Sequence, residues 1–312
     1  MEDSGKRGWI LMALMELMMA AQAGEMITGN GQLEYRGYLL GDDETTFMDS
    51  ITGWDDLPGI ESANTSRSNS HGAWVGRKLA GQRVITWNGR FSPTHPSLWE
   101  AELRRLREAF NLPLDTEEYA IVIQSIGEKR LCFGAVVARS IPMDKSYGYY
   151  GANVAIQFEC SDPRRYSLNE NNWTLELPPV VENGLEYPLE YPLDYGIEVT
   201  SNEGTLINDG DVISPVTLIF NGPVMRPALL NKTANTKLEF DIVLGADETL
   251  EVNTRTGSVL LNGVADRLYT RTANSAPLLS FGLMPGYNEM VITAEEWDSS
   301  AAVGVSWRDA TL

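Results

Sequence analysis

Histidine is the side chain that most readily titrates or ligates metal near neutral pH, and this sequence contains two, His71 and His95. They stand apart. His71 lies in Ser70-His71-Gly72-Ala73-Trp74 and His95 beside Pro96, neither with Cys or His partners at metal-ligand spacing, which argues against a zinc site. A serine hydrolase would carry a nucleophile turn such as G-x-S-x-G, and nucleotide chemistry a Walker loop or G-x-G-x-x-G; the chain has none of these. Carboxylates number 43, so a glycosidase pair could be drawn almost anywhere and the pattern discriminates nothing. Asn208-Asp209-Gly210-Asp211 opens like a calcium loop but lacks the later bidentate Glu and reads as a turn. Trp54, Trp74, Trp87 and Trp173 fall in loop-rich stretches where they could stack sugars, although cores and protein interfaces use tryptophan more often. No catalytic residue, cofactor or metal is expected.

Composition narrows the class. Hydrophobic residues make up 43% and charged residues 21% of 312, values typical of globular proteins long enough for two domains. The net charge of -19 makes the surface repel phosphate backbones and anionic headgroups, so neither nucleic acid nor a membrane surface is an expected ligand. Residues 167–312 hold 21 Asp/Glu against 7 Lys/Arg, a net of -14, which leaves -5 for the first 166. Cys132 and Cys160 each sit inside an apolar, strand-like run, which predicts reduced buried thiols rather than a disulfide scaffold. The first 25 residues form an apolar extension with three open readings: a docking helix, a signal or membrane segment, or a mis-annotated start ahead of Met26. Lys6, Arg7, the run from Trp9 to Ala21 and the small residues Ala21 and Ala23 imitate a signal peptide. Glu16 interrupts the run, which is too short to span a bilayer.

The elements that would position any site read as mainly β. From Leu33 to Val84 short strands alternate with long loops. Val84 to Phe91 has strand composition, with Asn88-Gly89 marking either a bulge or a hairpin tip. A helix is predicted from Ser97 to Phe110, with Trp99, Leu103, Leu106 and Phe110 on one face and Ser97/Glu100 as a capping box. Glu100 with Arg104 and Arg104 with Glu108 fall at i, i+4 on its wet face. Strands follow at Tyr119 to Ile126, Leu131 to Arg139 and Ala152 to Cys160, giving an α+β domain with one helix on an antiparallel sheet over residues 26–166. Residues 167–195 read as a Pro/Tyr-rich linker, whose repeat Leu185-Glu186-Tyr187-Pro188, Leu189-Glu190-Tyr191-Pro192, Leu193-Asp194-Tyr195 favours an extended course. Residues 196–312 read as an all-β sandwich, with strands at Val216 to Asn221, Leu238 to Leu244, Thr249 to Thr254, Ser258 to Asn262, Arg267 to Thr270, Glu289 to Thr293 and Val303 to Trp307.

Short motifs in a fixed order add a resemblance. Gly53-Trp54-Asp55-Asp56-Leu57-Pro58, His71-Gly72-Ala73-Trp74, Arg83-Val84-Ile85-Thr86-Trp87-Asn88-Gly89 and Asp162-Pro163-Arg164-Arg165-Tyr166 are followed by Asn221-Gly222-Pro223, Thr249 to Thr254, Val259 to Gly263 and Leu283-Met284-Pro285-Gly286-Tyr287-Asn288. Together they resemble the distal tail (Dit-like) proteins of siphophages. The resemblance implies a hexameric ring built by the first domain, a galectin-like sandwich as docking platform, and a place at the virion tail tip after assembly in the host cytoplasm. It implies partners in the tail tube protein, the tail-tip hub protein and the tape measure protein. Interface candidates are Trp9, Met12, Met15, Met19, Trp54 and Trp74. The pore is expected to be neutral or acidic, drawn from loops such as Gly41 to Asp49. A carbohydrate-binding module of the tail tip is the alternative and a cell-wall hydrolase the remoter one, because a galectin-like fold carries no function by itself.

Overall fold

A computed structural model describes residues 23–113, 115–145, 147–177, 202–298 and 300–312. The interface candidates Trp9, Met12, Met15 and Met19 and the repeat between Leu185 and Tyr195 lie outside the described residues. The chain divides into two units, the first running to Leu168 and the second from Asn169 to Thr311. Architecture is mainly β, as the alternating patterns require.

In the first unit the strands lie in the order Tyr38–Leu40, Leu33–Tyr35, Tyr119–Ser125, Glu128–Ser140, Ala152–Cys160, Arg83–Phe91, Thr46–Thr52, each antiparallel to the next. Glu128–Ser140 joins two half-sheets. Its first part pairs with Tyr119–Ser125 up to Gly134, and its last part, after a bulge between Val136 and Ala138, pairs with Ala152–Cys160. Period-two alternation sends Ile85, Trp87 and Phe91 with Val154, Ile156 and Phe158 into one core. The helix Trp99–Ala109 covers that core with Trp99, Leu103 and Leu106, and Phe110 follows them in. Tyr35 stacks on Phe110 at 5.7 Å and Phe91 meets Trp99 at 5.0 Å between ring centroids. Each fully buried ring or leucine contributes roughly 1.5 to 3 kcal/mol.

One open reading is decided and another is corrected. Of the bulged strand and the hairpin tip, Arg83–Phe91 is the strand, with the bulge in its partner between Met48 and Ser50, and Gly89 is required because a Cβ there would lie 2.3 Å from the Phe47 carbonyl and 2.4 Å from the Trp87 ring. The capping box does not form, because Pro96–Leu98 makes a 3-10 turn and moves the N-cap to Leu98, whose apolar side chain cannot accept from the first-turn N–H groups. On the wet face of the helix Arg105 lies 4.0 Å from Glu102, a contact worth a few tenths of a kcal/mol.

The second unit is a sandwich. One sheet runs Asn171–Glu176, Ala302–Trp307, Val216–Asn221, Thr249–Asn253, Ser258–Leu261, Ala265–Asp266, and the other Glu203–Asn208, Gly286–Thr293, Ala228–Asn231, Thr236–Glu239. Leu218, Phe220, Val252 and Val305 of the first share a core with Leu229, Leu238, Met290 and Ile292 of the second. The region read as linker therefore contains a strand, since Asn171–Glu176 pairs along Ala302–Trp307 and buries Leu175. Residues 268–270, expected as part of a strand, form a 3-10 turn instead. The L-x-P-G-x-N motif closes on buried Asn288: its Oδ1 accepts from Met284 N at 2.8 Å, and its Nδ2 donates to the Met284 and Gly286 carbonyls at 2.7 and 3.0 Å.

Candidate assembly surface

A sheet ends where its backbone groups find no further strand, and the first unit has two such ends close together in the topology. Among the described residues Thr46–Thr52 pairs only with Arg83–Phe91, and positions 135–140 pair only with Ala152–Cys160. Between them lies a half-sheet of four strands with both edges open. Its inner face is the core; its other face shows Phe47, Ser50 and Thr52, then Val84, Thr86, Asn88 and Arg90, then Asn153, Ala155, Gln157 and Glu159, all exposed or half-buried. Arg90 and Glu159 are the charges in that row and they cancel. The face is mostly polar and nearly neutral, with Phe47 and Val84 as its apolar members, and the edge strands on either side of it leave backbone groups free for further pairing.

At one end of this half-sheet the distant motifs converge. Arg83, 1% exposed at the start of its strand, donates from Nη1 to the carbonyls of Gly53, Trp54 and Asp56 at 2.7, 2.9 and 2.8 Å, and from Nε to Pro163 at 2.8 Å. Its guanidinium thus binds the Gly53–Asp56 turn to the Asp162–Tyr166 segment. Burial, followed by the nearby Arg165, holds its pKa below the ordinary arginine value. Arg165 reaches Asp55 at 2.6 Å and lies over the Trp54 ring at 5.6 Å, while Arg164 grips Asp162 in two bonds of 2.8 and 2.9 Å. From this clamp residues 59–81 leave as a two-stranded arm, Ile60–Ser62 against Lys78–Ala80 and Thr65–Ser66 against Ala73–Trp74.

Neither a protein-family profile nor a curated protein sequence matches the chain. Solved structures do. The Dit protein of phage SPP1, described as a paradigm of the hub adsorption apparatus in phages infecting Gram-positive bacteria, superposes with a TM-score of 0.61 at 12% identity, over 90% of this chain and 99% of that one. The chain has the fold of a phage distal tail protein. A component of the activated phage P2 baseplate is also similar, with a TM-score of 0.48 at 12% identity over 88% and 97% of the two chains.

Within the distal-tail fold the candidate tryptophans separate. Trp54 is 4% exposed and belongs to the unit's own core, so its assignment as an interface residue is corrected: the Arg83 clamp folds its turn inward. Trp87 is fully buried, Trp173 is partly exposed at the sandwich edge, and Trp74 stands 66% exposed on the arm. His95 lines an open cavity of about 430 Å³ with Glu44 and Glu102, whereas His71 is at the arm tip, so the two histidines do not meet. Among the described residues no three His, Cys, Asp or Glu side chains are placed to share a metal ion, and no helix is long and apolar enough to cross a membrane. Cys132 and Cys160 are buried free thiols with Sγ atoms 3.4 Å apart, and burial pushes the Cys132 thiol well above its ordinary pKa. The residue that sequence reasoning passed over is Arg83. Its one signal is a charge at the first inward position of an otherwise apolar alternation.

Proposed function

We propose that this chain is a structural, non-enzymatic subunit of a phage tail tip that closes into a hexameric ring between the tail tube and the hub, with the tape measure protein passing through it. The pair of open edges on one four-stranded half-sheet carries this reading. Because four is even and the strands alternate in direction, a rotation that sets Thr46–Thr52 of one copy beside residues 135–140 of the next makes another antiparallel pair. Repeating the rotation closes a ring and removes every edge. Six copies give 24 strands at about 4.8 Å, a barrel roughly 35 to 40 Å across. Its inner wall is then the polar face bearing Thr86, Asn88 and Gln157, in place of the loop from Gly41 to Asp49. The sandwich serves in this reading as a platform for the hub. The fold likeness supports the assignment to a tail.

The test is a double substitution, Ser50→Cys with Ala138→Cys, one thiol at each edge of the open face. Oxidation of the assembled protein is expected to give a ladder of linked copies ending at six, and electron microscopy a ring with an open centre. A chain that stays single even with its tube and hub proteins present overturns the ring.

A further inference from the structure

Five asparagines, Asn30, Asn88, Asn183, Asn221 and Asn262, are followed directly by glycine. In such a pair the following backbone nitrogen can attack the side-chain amide, because glycine brings no Cβ to obstruct the approach. The fold treats the pairs differently. Asn183 lies outside the described residues. Gly89 is buried inside a strand paired on both sides, the Gly31 N–H donates to the Gln124 carbonyl at 2.8 Å, and that of buried Gly222 donates to the Glu248 carbonyl at 3.1 Å. A nitrogen held in this way keeps its proton and its position until the bond opens.

Asn262-Gly263 is built otherwise. The pair lies at the tip between Ser258–Leu261 and Ala265–Asp266, with φ +52° at Asn262 and +68° at Gly263, both left-handed as in a type I′ turn. The Val264 N–H closes the turn on the Leu261 carbonyl at 3.1 Å, while among the described residues the Gly263 N–H donates to nothing. Both residues are exposed, and open space surrounds the point where a Cβ of Gly263 would stand. The Asn262 side chain is held in place: its Oδ1 accepts from the Thr249 N–H at 2.8 Å, which draws electrons from the amide carbon. Its Nδ2, the group that must leave, makes no bond among the described residues.

We propose that Asn262 is a site of deamidation in the folded chain, with the Gly263 nitrogen as nucleophile and water as the co-reactant. The nitrogen bonds to Asn262 Cγ and gives up its proton, the Cγ–Nδ2 bond breaks, and ammonia departs from a succinimide ring. Water then opens either ring carbonyl to leave aspartate or isoaspartate, with no change of oxidation state. Each event adds a negative charge to the more acidic part of the chain. The isoaspartate route also inserts a methylene into the main chain beside the Leu261 and Ala265 pairing.

The test incubates the folded full chain at mildly alkaline pH and maps its peptides by mass spectrometry over time, with isoaspartate scored by enzymatic methyl transfer. Conversion at Asn262 is expected to be about fivefold or more faster than at Asn30, Asn88 and Asn221, where the glycine nitrogen must first leave its place in the fold. In urea the four are expected to convert at similar rates. A folded chain in which Asn262 converts no faster than the other three overturns the proposal. So does a preference for Asn262 that persists undiminished in urea, since the local sequence and not the turn would then be selecting it.

Discussion

Arg83 shows how one side chain joins segments that lie far apart in sequence. A buried guanidinium that bonds four carbonyls through Nη1 and Nε is strong only while both donors stay in place, because a shorter or flexible cation leaves carbonyls unpaired. Arg83→Lys is therefore expected to cost roughly 2 to 4 kcal/mol of stability, read as a lower urea midpoint, and an unchanged midpoint would show that the clamp is ornamental. Tyr35 provides a pH signature for the same core. Burial pushes its hydroxyl from 10 to about 12, so the folded chain keeps a proton that the unfolded chain releases near pH 10. This share of the stability is intact below pH 10 and is lost as pH rises from 10 to 12, roughly 2 to 3 kcal/mol in all. Tyr35→Phe should lose less stability than wild type between pH 9 and 12, and parallel curves would refute the assignment.

At the scale of elements, the turn between the open edge strand and the arm decides where the arm goes. Gly53 has φ +82°, and a Cβ there would lie 1.9 Å from the Val84 carbonyl oxygen. Gly53→Val is expected to break the turn that Arg83 binds, costing at least about 2 kcal/mol and lowering assembly. Gly37→Ala serves as comparison, since its φ is also positive but open space surrounds it; it should cost about 1 kcal/mol and leave assembly alone. Equal effects from the two would show that close packing at Gly53 is unimportant.

For the whole molecule in the proposed ring, the uneven charge matters less than which face would turn toward the pore. Most of the net -14 of residues 167–312 belongs to the sandwich, so passage of DNA through a ring is governed by the first unit's open face, where Arg90 and Glu159 offset each other. Assembled wild-type rings are expected not to retain duplex DNA at any salt. Thr86→Arg with Gln157→Arg should create salt-dependent retention, because each new phosphate contact releases counterions. Retention by wild type, or none by the double variant, would place another surface at the pore.

The sequence alone determined what depends on neighbours along the chain. Periodicity marked the helix through Trp99, Leu103 and Leu106, the strand Ala152–Cys160 and the alternating sandwich strands, and the ordered turn motifs pointed to the tail fold before any coordinates. Local pattern failed where contacts from elsewhere outweigh it. Asn88-Gly89 has the composition of a turn, yet it runs straight because strands pack on both sides of it and only a glycine fits beneath Phe47 and Trp87. Trp54 looked like an interface residue and is core because Arg83, some thirty positions on, draws its turn inward. The open edges are invisible in sequence, since an edge is defined by the strand that fails to arrive. Only the tertiary structure could show that Glu128–Ser140 changes partners midway and, among the described residues, leaves one flank unpaired, the feature on which the proposed ring depends.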